Sequence, residues 1–142
     1  PGFMIYNLDR TQRTVFKNKY FTEIENLIKG QKDFKFIFIK YLKNRIIIDK
    51  LLDVFPEYNE LFKKTYNKFT SLILEIFDIY CNTKVYKTQK LVDRKFKKII
   101  YDIHGIYLQK VKKEKKFKIV LKDVYDLLLN YDPAYLYSTY FN

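Results

Sequence analysis

Apolar residues recur three and four positions apart along most of the chain from Tyr20 onward, the period of helices that bury one face. Phe21, Ile24, Leu27 and Ile28 make the first stripe, and Gly30 is placed to end it. Residues 34–42 are two-sided: Phe34, Phe36 and Phe38 alternate as in a strand, while Ile37, Tyr41 and Leu42 complete a helical face. The segment is read as a helix. An amphipathic helix over 46–55 is closed before Pro56. Pro56 and Glu57 then open a long helix, with a proline and an acid in its first turn. Its stripe runs through Leu61, Phe62, Tyr66, Phe69, Ile73, Ile76, Phe77 and Tyr80.

After a polar, basic connection over 82–90, a second long helix is predicted from about Leu91 to Lys112. It turns Val92, Phe96, Ile99, Ile100, Ile103, Tyr107 and Val111 inward. The tract Lys112-Lys113-Glu114-Lys115-Lys116 reads as a loop or a frayed end. A last helix over 121–129 leads to a break at Asp132-Pro133 and an aromatic tail. The first 18 residues follow another pattern. Gly2-Phe3-Met4-Ile5-Tyr6 is apolar, Asn7-Leu8-Asp9-Arg10 carries turn residues, and Arg13-Thr14-Val15-Phe16-Lys17 is β-prone, so a hairpin or two short strands are expected. The expected class is mainly α, a helical bundle of about five or six helices with a short N-terminal β-hairpin fragment. A lone hairpin is marginal in water. With the opening Pro1-Gly2, this leads to the expectation of a piece cut from something larger.

Composition narrows the classes. With 142 residues, 48% of them hydrophobic, one core can be built without staples. Three Gly and three Pro are too few for a loop-rich β fold. The single Cys81 excludes an intrachain disulfide and a cysteine-built zinc site. No signal peptide or long apolar run is seen, so an intracellular, cytoplasmic setting is expected. Lys, Ile, Tyr, Phe and Asn dominate as in an AT-rich gene, which discounts part of the lysine excess. Location restores its meaning. Of a net charge of +12, residues 82–122 carry thirteen Lys and one Arg against Asp93, Asp102 and Glu114, a local net of +11. A field that concentrated attracts polyanions.

The candidate contacts are Arg94, Lys95, Lys97 and Lys98, set largely away from the apolar stripe of their helix, together with Lys110, Lys112, Lys113, Lys115 and Lys116. Lysines at helical spacing meet phosphates as flexible point charges and give salt-dependent affinity with little base readout. The bland alternative is a solvated lysine-rich face. The C-terminal Tyr131, Tyr135, Tyr137, Tyr140 and Phe141 could stack on bases, but a tail docked on the bundle is the simpler expectation. His104, the only histidine, is expected to be hydrogen-bonded in a structural role, and Cys81 to be at or near the core. Gly105 either weakens its helix or allows a close approach. No Gly-rich phosphate loop, Ser-centred elbow, metal-ligand spacing or dense carboxylate cluster occurs in the sequence, so an independent enzyme is disfavoured.

One resemblance adds to this. The stretch Gly2-Phe3-Met4-Ile5-Tyr6-Asn7-Leu8-Asp9-Arg10-Thr11-Gln12-Arg13-Thr14-Val15-Phe16-Lys17-Asn18, followed by Lys19-Tyr20-Phe21, resembles the end of the nucleotidyltransferase domain of ATP-dependent RNA ligases of phages and giant DNA viruses. Tyr101-Asp102-Ile103-His104-Gly105-Ile106-Tyr107-Leu108 and Asp132-Pro133-Ala134-Tyr135-Leu136 also look like the helical extension of that family. The resemblance implies that 1–18 is a remnant of an upstream catalytic domain and 19–142 an α-helical accessory domain that helps to choose RNA. It makes Lys17 a nucleotide-phosphate contact, while Val15 stands where the family has a second basic residue and Pro1 where it has an acid. The nucleophilic lysine would lie upstream, so ATP and Mg2+ belong to a ligase parent, and no cofactor is expected for this chain. The rival expectation is a non-enzymatic protein-interaction or structural module of a large DNA virus or an AT-rich parasite. Membrane-surface binding through 110–118 is disfavoured, because no exposed apolar face adjoins that tract.

Overall fold

A computed structural model describes residues 21–142, and among them every regular element is helical. The expected hairpin over 1–18, with Lys17, lies outside the described residues. By its internal contacts the chain divides into two compact units, Pro1–Leu61 and Phe62–Asn142.

In the first unit, α1 runs to residue 28 and stops where Lys29 and Gly30 enter left-handed backbone, with φ of 48° and 75°. Glycine accepts that geometry without the Cβ penalty, which is why the stripe ends there. Asp33 caps α2 (Phe34–Lys40) by accepting from the Lys35 and Phe36 amides, at 3.0 and 3.4 Å. That cap settles the two-sided segment. Ile37, Phe38 and Ile39 are buried in succession, which alternation in a half-exposed strand would not allow. Asn44 caps α3 (Arg45–Val54) through the Ile47 amide. A single tight turn, Pro56–Tyr58, follows. The core of this unit gathers Ile24, Ile37 and Leu51 under Leu27, Phe34, Val54 and Phe55. The Phe34 ring lies flat on Tyr58 at 3.9 Å and edge-on to Phe55 at 5.1 Å. Tyr41 donates its hydroxyl to the Leu27 carbonyl at 2.9 Å, which satisfies both groups at the helix end.

The helix α4 (Asn59–Tyr80) opens the second unit from Phe62, burying Phe62, Thr65, Phe69, Leu72, Ile73, Ile76 and Tyr80. Tyr66, expected inward, sits at the edge of that face with its ring 6.0 Å from Phe62 and stays exposed; Thr65 and Leu72 complete the stripe instead. The second long helix, α5, spans Arg94–Lys113. It begins three residues later than expected because Asp93 caps it, accepting from the Lys95 amide. Its buried residues are Phe96, Ile99, Ile100 and Ile103. The α6 helix occupies Leu121–Leu129, as expected, and the Asp123 carboxylate accepts from the Val120 amide at 2.8 Å to fix its start.

Beyond the break, the tail is helical rather than irregular. Asp132 caps α7 (Pro133–Leu136), and a wider turn over Tyr137–Phe141 continues it. Leu136, Tyr140 and Phe141 are buried. The Tyr140 ring stacks on Phe96 at 5.7 Å and its hydroxyl donates to the Lys95 carbonyl, while Tyr131 donates to the Asp102 carboxylate. Burial, helped at Tyr131 by the Asp102 bond, keeps both phenols protonated well above their usual range. The tyrosine cluster thus docks on α5. Among the described residues no helix is long and apolar enough to cross a membrane.

Candidate nucleic-acid interface

The basic segment is shaped first by how α4 ends. Its last residues widen into a turn over Cys81–Val85, where the Tyr86 amide reaches back to the Cys81 carbonyl at 2.8 Å. Thr83 donates its hydroxyl to the Ile79 carbonyl, a side-chain bond that competes with the regular ladder. Lys87 then adopts φ of 56°, left-handed backbone that an L side chain takes up at a cost of about 1–2 kcal/mol. The reversal is held by the Asn82 carbonyl, which accepts from the Thr88 and Gln89 amides at 2.8 and 3.1 Å. Lys84, Lys87 and Lys90 are therefore presented by a tied loop, and all three are exposed.

Opposite that loop stands one face of α5. Lys97, Ile100, Tyr101, His104 and Tyr107 follow at helical spacing and form a wall about 15 Å long at the usual rise per residue. Two grooves lie along it. The first, of about 640 Å³, has Lys84, Lys87, Lys90 and Lys97 at its edges and Leu91, Val92, Ile100 and Tyr101 among its apolar lining. The second, of about 700 Å³, has Lys84, Lys87, Lys115, Lys116 and Lys118 around Phe77, Tyr80, Tyr107 and Phe117. They share Lys84, Lys87 and His104. Among the described residues neither lining contains an Asp or a Glu.

His104 stands at the divide. Its ring stacks on Tyr107 at 5.7 Å, and its Nδ1 lies 3.3 Å from the Tyr80 hydroxyl. Burial first, then Tyr107 and Cys81, pushes the Tyr80 phenol up to about 12. The pair is complementary in either tautomer: the phenol donates to Nδ1 when the imidazole proton is on Nε2, and accepts when it is on Nδ1. Burial, and then the Lys84 ammonium, holds the imidazole below its ordinary 6.5. The expected structural role fits this geometry. Cys81 is half-buried, and burial, then Asp78, raises its thiol and disfavours the thiolate. Among the described residues no group of three or more His, Cys, Asp or Glu could hold a metal ion.

The basic residues named from the sequence have different surroundings. Lys97 lines the first groove, and Lys115 and Lys116 the second. Lys98 lies 3.6 Å from Asp102 and over the rings of Tyr131 and Tyr135, at 4.4 and 5.0 Å, so its charge is engaged within the fold. Lys110 faces Asp123 at 3.8 Å and the Phe117 ring at 5.1 Å. Lys95 lies over the adjoining Phe96 ring. Arg94 is exposed in the first turn of α5, and Lys112 and Lys113 in its last. The last-turn charges suit the helix dipole; those of the first turn oppose it, at a cost of roughly 0.3–1 kcal/mol each. Lys84, Lys87, Lys90 and Lys118, together with Tyr101, were not singled out from the sequence. The one signal for them was the local charge of 82–122, which already counted the four lysines. No protein family, curated protein or solved structure matches this chain.

Proposed function

We propose that this chain binds nucleic acid along the lysine-lined grooves and acts as an RNA-positioning module that is non-catalytic by itself. The observation that carries the reading is the sign of the lining: seven lysines edge two adjoining grooves whose linings hold no carboxylate. A randomly solvated basic surface would intersperse acids, and this chain has sixteen of them to place. Segregated positive charge along a groove suits a row of phosphates. The choice of RNA rests on the resemblance of residues 2–21 to RNA ligases. In a ligase-like parent, an upstream domain would use ATP and Mg2+, while this chain would supply phosphate contacts that hold the RNA ends in place.

The test is fluorescence anisotropy with a labelled RNA between about 50 and about 200 mM salt. Two variants remove equal charge: Lys84→Gln/Lys87→Gln/Lys97→Gln inside the grooves, and Arg94→Gln/Lys112→Gln/Lys113→Gln outside them. The groove variant is expected to bind more weakly and to flatten the log–log salt slope by roughly 0.7–0.9 for each phosphate it no longer neutralises. Equal effects from the two variants would reduce the grooves to part of a general field. The rival reading, a protein-interaction module, draws on an apolar groove of about 380 Å³ between Ile73 and Leu74 of α4 and Leu121 and Tyr125 of α6. It takes the lead if the wild-type chain ignores RNA at low salt.

A further inference from the structure

We infer that the occupant of the grooves is an unpaired strand, stacked on Tyr101 and Tyr86 with its phosphates on the lysines between them. The inference rests on the nucleic-acid reading and goes beyond it, because that reading is satisfied equally by a duplex. Two large aromatic side chains stand in water where the charge is densest: Tyr101 is 78% exposed and Tyr86 67% exposed. Tyr101 lines the first groove and Tyr86 the second, and Lys84 and Lys87 belong to both. Most other aromatic rings of this unit are taken up in packing. Phe69 meets Tyr125, Phe96 meets Tyr140, and Tyr131 meets Tyr135, each within about 6 Å. Tyr86 and Tyr101 are left with open faces on either side of a shared cationic divide.

What each form of nucleic acid offers decides between them. A duplex keeps its bases stacked inside and presents phosphates and groove edges, so it would engage the lysines and leave both tyrosines in water. An unpaired strand offers phosphates and free base faces together, and base–aromatic stacking needs no particular base. The wall from Lys97 to Tyr107, about 15 Å long, leads from one groove to the other past His104. Lys87 is held in left-handed backbone where a glycine would be less strained, which keeps an ammonium at the divide. A strand crossing from one groove to the other would meet Lys84 and Lys87 between Tyr101 in the first and Tyr86 in the second.

The experiment compares a labelled oligouridylate with the same strand annealed to its complement, for the full chain and for Tyr86→Ala, Tyr101→Ala and the double variant. Both rings are exposed, so the variants are expected to keep the wild-type circular dichroism and melting temperature. The full chain is expected to bind the single strand more tightly than the duplex at equal salt. Removing either tyrosine is expected to weaken strand binding about tenfold and to leave duplex binding unchanged. Binding of both forms equally, untouched by the tyrosine variants, overturns the inference and leaves the nucleic-acid reading standing. Binding of neither form at low salt overturns both.

Discussion

At the scale of single residues, His104 and Gly105 show how a neighbourhood decides what a side chain does. His104 is neutral in the fold, with its pKa below the 6.5 of the unfolded chain. Above that value neither state binds the proton. As the pH falls through it, the unfolded chain takes up a proton that the folded chain refuses, and stability declines until the folded pKa is reached. Urea unfolding between about pH 7.5 and about pH 5 is expected to show a larger loss for the wild-type chain than for His104→Asn, which keeps an acceptor for Tyr80 but does not titrate. Gly105 was open to two readings, a weak point in α5 or a place of close approach. A Cβ there would meet nothing within 4 Å, so the first holds. Gly105→Ala is expected to stabilise the chain by about 0.5–1 kcal/mol, seen as a higher urea midpoint with an unchanged slope. Neither answer was legible in the sequence, because each depends on atoms brought from α4 or on the space they leave.

At the scale of elements, periodicity and stop signals carried most of the fold. Stripes from Ile24 to Ile28, from Phe62 to Tyr80, from Phe96 to Ile103 and from Val124 to Leu128 are spaced by three and four, and each buries residues within its own unit. Boundaries moved where a cap outranked the stripe, as Asp93 does in starting α5 after Leu91 and Val92. The tail over 133–141 was the least legible element, for its helix is too short to be stable alone and depends on what it docks against. Packing outweighs hydrogen bonding there. Tyr140→Phe removes the bond to the Lys95 carbonyl and is expected to cost about 1 kcal/mol. Tyr140→Ala also vacates the space against Phe96 and is expected to cost about 3–5 kcal/mol, as read by thermal or urea unfolding.

At the scale of the whole molecule, the crowded positive charge is a cost to stability. The net charge of +12, nearly all of it within 82–122, repels itself, and among the described residues Asp102 and Asp123 offset it at Lys98 and Lys110. Raising salt from about 0.01 M to about 0.15 M shortens the screening length from roughly 30 to roughly 8 Å. The free chain is therefore expected to melt at a higher temperature in the saltier buffer, while the proposed affinity for RNA is expected to fall. Opposite responses in the two measurements separate self-repulsion from binding. A melting temperature indifferent to salt would mean that the lysines are already compensated.

The sequence by itself determined what short-range physics controls: helices from Phe21 onward, their stops at Gly30 and before Pro56, the break ahead of Asp132-Pro133, and the crowding of charge into one third of the chain. Those follow from backbone preference, apolar period and composition, which neighbouring residues settle among themselves. Only the tertiary structure decided which charges work together. Lys84, Lys87 and Lys90 come from a loop, Lys97 from α5, and Lys115, Lys116 and Lys118 from the segment after it. Period along the chain does not relate these stretches; the widened end of α4, the reversal at Lys87 and the packing of α5 do. The same packing tied Lys110 to Asp123 of α6, and left Tyr101 and Tyr86 bare beside the grooves. Charge segregation is a property of the sequence, but a groove is a property of the space between elements, and that space exists only once they are packed.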